Sequence, residues 1–127
     1  MMILHLTTKT DWETAQRLGA YRAESLETQG FIHCSTTAQI LGVANHFYRG
    51  VPALVLLWID PEKVQAKVLW EDPVHPSTEH EGELPQDKTA ALFPHIYGVI
   101  NLDAVMCVVD FVPDPDGVFR QVPEGSD

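Results

Sequence analysis

Ala53-Leu54-Val55-Leu56-Leu57-Trp58-Ile59 is the stretch that decides the fold. It shows no alternation of polar and apolar residues. No apolar run in the chain approaches the roughly 18 residues that a bilayer span requires. A short, continuously apolar run reads as a central strand covered on both faces.

Another strand is legible at Ala104–Val112, again nearly continuously apolar. A third is Met2–Leu6, where Leu4 and Leu6 point to one side and Ile3, His5 and Thr7 to the other. Two helices lie between. The first opens at Thr10-Asp11-Trp12-Glu13, which has capping-box spacing, and Gly19 is placed to end it in the left-handed conformation. The second follows a short strand, Phe31–Cys34. Thr36 and Gln39 again have capping-box spacing, and Ile40, Val43, Ala44 and Phe47 form an apolar stripe that Gly50 closes. Tyr21–Gly30 reads as irregular, Asp60–Val64 as a turn or a single helical turn, and Lys67–Trp70 and Leu92–Gly98 as ordered, strand-like segments. Early helices and late strands give an α+β class, with one mixed, mainly antiparallel sheet. We expect a single domain over residues 1–112, a long acidic loop at 71–91 and a loosely ordered acidic tail at 113–127.

The chain has 127 residues and a formal charge of −10. That sum is misleading without its distribution. Residues 71–87 hold six acids and no base, and residues 110–127 hold five acids and Arg120 alone. The remainder is electrically balanced. A long polynucleotide or an anionic membrane surface would meet acidic segments, so neither is expected as a partner. A small anionic ligand held by local donors is not excluded. No secretory leader pattern is visible, and the two cysteines, Cys34 and Cys107, read as buried thiols, so a cytoplasmic location is expected.

Three segments set histidines among core residues: Leu4-His5-Leu6-Thr7-Thr8, Gly30-Phe31-Ile32-His33-Cys34-Ser35-Thr36 and Leu92-Phe93-Pro94-His95-Ile96-Tyr97-Gly98. Each such histidine needs partners for its ring nitrogens. Two readings follow: three separate structural histidines, or one shared cleft. Strand alternation puts His33 with Ser35 and turns Cys34 away, which disfavours a His33–Cys34 dyad. Ser35 and Thr36 stand where a strand meets a helix N-terminus. They are either caps or the donors of an anion site. No two of His5, His33 and His95 have close ligand spacing and there is no CxxC, so no metal is expected. His46 falls on the polar side of the second helix, a surface position. Glycine-rich phosphate loops and a GxSxG elbow are absent.

These three segments resemble domain-of-unknown-function family 952, small bacterial proteins with His-x-Thr-Thr, Gly-Phe-Ile-His-Cys-Ser-Thr and Phe-Pro-His-Ile-Tyr-Gly motifs. The resemblance runs to about Val112. Gln29 stands where the family commonly has an acidic residue. The resemblance implies a fold like that of ADP-ribosyltransferases, a split α+β sheet with an NAD cleft between its halves. It implies a small nucleotide ligand, NAD or ADP-ribose, cleaved or transferred at the nicotinamide–ribose bond. On that pattern His5, His33, His95 and Glu83 (or Glu81) would be catalytic, with Glu83 stabilising the developing cation. Thr7, Ser35, Thr36 and Tyr97 would bind the cofactor, Tyr97 by stacking on a flat ring. A module that binds the nucleotide without turning it over, or a domain with no active site, is the competing expectation.

Overall fold

The computed structural model describes residues 1–72 and 92–124. The run at 53–59 is β4 (Leu54–Ile59) and it is central: β1 (Ile3–Thr8) and β8 (Val105–Phe111) flank it, both antiparallel. Its alternate residues serve two cores. Val55, Leu57 and Ile59, with Ile3, face one cluster that includes Ala15, Tyr21, Ile32, Ile96 and Ile100. Leu54 and Leu56, with Leu4 and Leu6, face a second that includes Ile40, Ala44, Phe111 and Phe119. An unbroken apolar run is thus what a strand with two dry faces requires. Truncating Leu56, which is fully buried, to alanine would cost roughly 2–5 kcal/mol by the usual cavity argument.

Helix α1 (Lys9–Leu18) lays Trp12 and Ala15 on the first cluster, and α3 (Ile40–Phe47) lays Ile40 and Ala44 on the second. The N-cap of α1 is Thr8, whose Oγ1 accepts the Asp11 amide at 3.1 Å, and not Thr10. β1 runs on to Thr8, two residues past its expected end, and passes into α1 with no linker, so the last strand residue is itself the cap. Gly19 does close α1, with φ 91°. The reciprocal bonds expected of a capping box are made, from the Thr36 amide to Gln39 Oε1 at 2.8 Å and from the Gln39 amide to Thr36 Oγ1 at 3.2 Å, but they close a turn before the helix, and the N-cap of α3 is Gln39 and not Thr36. The irregular stretch after Gly19 contains a two-residue strand, β2 (Ala20–Tyr21), and a third helix, α2 (Glu24–Thr28). Five residues are too few to display a helical period in sequence.

A second three-stranded sheet holds β3 (Ile32–His33), β6 (Phe93–Tyr97) and β5 (Lys67–Glu71) in that order, and β7 (Ile100–Asn101) pairs with β2. All these pairings are antiparallel, so the described residues contain no parallel component of the mixed sheet expected from sequence. The two larger sheets meet where Leu4 and Ser35 exchange backbone hydrogen bonds of 2.7 and 2.8 Å. Within residues 113–124, Phe119 ties the chain to the second core. Phe119 is buried and stacks on Phe111, and Asn45 both donates to its carbonyl and accepts from its amide. A single large apolar residue is enough to anchor a polar segment.

Candidate functional site

His33 and His95 are register partners across β3 and β6, and their rings lie 5.3 Å apart, edge to face. Antiparallel partners share a face, so the next pairings extend the same surface. Leu69 sits opposite His95, Glu71 opposite Phe93, and Lys67 opposite Tyr97. One face of this sheet therefore carries His33, His95, Tyr97, Phe93, Lys67, Leu69 and Glu71. Its other face turns Ile32, Ile96 and Val68 into the core. Phe31 completes the surface: its ring stacks on His95 at 4.1 Å and tilts toward Tyr97 at 5.3 Å.

Glu71 organises the group. Its Oε1 accepts from His95 Nδ1 at 2.8 Å and from the Tyr97 hydroxyl at 2.6 Å. These donors, Tyr97 first, hold the Glu71 carboxyl below its ordinary range, so it is ionised at neutral pH. The same bond raises the Tyr97 phenol. With Nδ1 donating to a carboxylate, His95 is fixed in the tautomer that leaves Nε2 as the basic nitrogen. Among the described residues neither His95 Nε2 nor Glu71 Oε2 has a hydrogen bond. His95 is 2% exposed, whereas the Glu71 side chain is 36% exposed. The group thus offers a pinned, charged carboxylate with one uncommitted oxygen beside a buried imidazole and two aromatic rings.

His5 stands apart from that face. It lies on the first-core side of β1, and its Nδ1 is 2.6 Å from the His33 carbonyl and its Nε2 2.9 Å from the Tyr21 hydroxyl. A carbonyl only accepts, so Nδ1 must carry the proton and Nε2 must receive one from Tyr21. Tyr21 and Thr7 hydroxyls are 2.9 Å apart, and Tyr21 has one proton, so Thr7 donates to it. The result is a saturated chain from Thr7 through Tyr21 and His5 to the backbone of His33. Burial pushes His5 down to about 4, and it raises the Tyr21 phenol.

The structure thus brings His33, His95 and Tyr97 together and joins His5 and Thr7 to them only through the His33 carbonyl. Ser35 is buried, its amide bonded to the Leu4 carbonyl, and the Thr36 amide is engaged by Gln39. The two amides considered for an anion are therefore both committed within the chain. Glu81 and Glu83 lie outside the described residues. Glu71 was missed as a site residue because it stands first in an acidic stretch, where it looks like a solvated charge. Its period-two spacing from Lys67 and Leu69 was the available signal. Gln29 Oε1 meets His33 Nε2 at 2.7 Å, a contact across one helix end that no strand or helix period announces.

Fold and site define a small antiparallel α+β protein with a histidine–glutamate–tyrosine cluster on the face of its second sheet. The chain belongs to the family described as "Protein of unknown function (DUF952)", whose model matches residues 6–108. It is similar to the crystal structure of protein CC0527 from Caulobacter crescentus, at 26% identity and TM-score 0.74, with 94% of each chain covered. The solution structure of CC0527 matches at 27% identity and TM-score 0.67, covering 94% of this chain and 91% of that one. No curated protein matches the chain. No helix among the described residues is long and apolar enough to cross a membrane.

Proposed function

We propose that the Glu71–His95–Tyr97 cluster is the reaction centre of an enzyme acting on a nucleotide of the NAD or ADP-ribose class, at the nicotinamide–ribose bond. The observation that carries this reading is the Glu71 carboxylate: one oxygen holds His95 and Tyr97, and the other has no partner among the described residues. Cleavage of an N-glycosidic bond develops positive charge on the anomeric carbon, and a preorganised carboxylate stabilises it. The bonding pair leaves with the pyridine nitrogen, which departs as neutral nicotinamide. A water or acceptor hydroxyl adds to the anomeric carbon and gives its proton to His95 Nε2, the basic nitrogen. Tyr97, 38% exposed on the same face, offers a ring for a flat base to stack on. In this reading Glu71 takes the part that the family resemblance suggested for Glu83. His5 acts as a positioning residue that fixes the β3 backbone at His33. The division of the strands into two larger sheets supports the ADP-ribosyltransferase-like comparison.

Calorimetric titration with NAD, ADP-ribose and nicotinamide mononucleotide, with chromatography for released nicotinamide, tests the reading. Binding is expected for at least one of the three, and release is expected to be lost in Glu71→Gln. Absence of binding of all three at millimolar concentration overturns it. Binding with no release over hours would instead indicate a module that holds the nucleotide without turning it over.

A further inference from the structure

Lys67 is the only lysine or arginine on the three strands of the second sheet, and it lies on the face that carries Glu71, His95 and Tyr97. It is exposed and directly opposite Tyr97 in the antiparallel register. Side chains so paired stand about 5 Å apart at Cβ. Lys9, Arg22 and Arg120 each meet a carboxylate, but Lys67 forms no ion pair with any described residue. Glu71 is four residues away on the same strand, about 13 Å between backbones at the rise of a β-strand, and no ion pair joins the two side chains. The face therefore has an anionic end at Glu71, an aromatic ring at Tyr97 and a cationic end at Lys67.

The backbone at the Lys67 end is closely set. A Cβ placed on Gly98 would come within 2.8 Å of the Ala66 Cβ. Only glycine lets the chain after Tyr97 lie against the residue before Lys67. This close approach holds the lysine and the tyrosine side by side at the mouth of the face.

We propose that Lys67 binds the 5′-phosphate of the nucleotide and makes the site selective for phosphorylated over unphosphorylated nucleosides. This rests on the function proposed above. With the ring on Tyr97 and the anomeric carbon toward Glu71, the 5′ substituent, which lies on the same face of the ribose as the base, folds back over the ring toward the cationic end. A lysine is a point charge suited to a phosphate oxygen, and a charge-assisted hydrogen bond of that kind is worth about tenfold or more in affinity.

The test is titration of the wild-type chain, Lys67→Met and Lys67→Arg with nicotinamide mononucleotide and with nicotinamide riboside, which differ only in the phosphate. The wild type is expected to prefer the mononucleotide by about tenfold, and less at high salt. Lys67→Met is expected to bind both ligands equally, with riboside affinity unchanged, and Lys67→Arg to keep most of the preference. Equal binding of both ligands by the wild type overturns the role of Lys67 and leaves the proposed function standing. So does a preference that survives in Lys67→Met. If the wild type binds neither ligand, the role of Lys67 falls, and the proposed function falls with it if NAD and ADP-ribose also fail to bind.

Discussion

His5 and His95 are both nearly sealed from solvent, at 6% and 2% exposure, yet their surroundings have opposite consequences. His5 is saturated by neutral groups, a backbone carbonyl on one nitrogen and a tyrosine hydroxyl on the other. Its partners lock one neutral tautomer and leave it no lone pair to use. His95 meets an anion on Nδ1, and Nε2 has no hydrogen bond among the described residues. Burial alone therefore does not distinguish a structural histidine from a reactive one. The partner's charge and the unused nitrogen do.

The sharpest way to break this contrast is at the carboxylate. Glu71→Gln keeps the shape and removes the charge. Nicotinamide release is expected to fall by roughly 10²–10³-fold while nucleotide affinity changes little, read as kcat against KM. Equal losses in a folded His5→Gln and in Glu71→Gln would place His5 in the chemistry as well and erase the distinction.

A second measurement exploits the titration of His5. Folded His5 is held at about 4 against 6.5 in the unfolded chain, so it stays neutral in the folded state while the unfolded state takes up a proton. Its contribution is fully present above pH 6.5 and is lost as the pH falls from 6.5 toward 4. The loss approaches about 3 kcal/mol at the acid end. Denaturant melts across that window, compared with His5→Gln, read it directly. If wild type and variant show the same pH slope, His5 is not the neutral, saturated group described here.

Tyr21→Phe deletes the middle of the buried chain and leaves His5 Nε2 without its donor. A loss of roughly 1–3 kcal/mol is expected from urea denaturation. Stability unchanged within error would show that the relay from Thr7 is not formed.

The smallest effect belongs to Tyr97→Phe. It removes the leading cause of the depressed Glu71 carboxyl, which is then expected to titrate closer to its ordinary value while stability hardly moves. Carbon-13 NMR of the glutamate side chains follows this. An unmoved Glu71 would leave His95 as its sole organiser.

The architecture was largely legible, because β4 records both of its environments in one run of residues. The spacing at Thr36 and Gln39 gave the turn before α3, since a capping box is a contact over three residues. The N-cap of α1 is Thr8, two residues before the Thr10 that the capping-box spacing predicts, because both are hydroxyl residues and the strand ends on the first of them. The candidate site was half legible. His33, His95 and Tyr97 sit in apolar strands where a polar residue stands out. Glu71 did not stand out, as it opens an acidic stretch and its partners are 24 and 26 residues away.

By itself the sequence determined the elements: period-two and unbroken apolar runs select strands, a 3.6-residue stripe selects a helix, and caps set their ends. These are local properties, fixed by backbone geometry and by which face must leave water. Only the tertiary structure decided what each histidine became. A ring nitrogen's role depends on which distant group reaches it, and that is set by strand register: His33 opposite His95, Leu69 opposite His95, and Glu71 two residues further along. A slip of one residue would turn Glu71 to the other face and leave His95 buried without its anion.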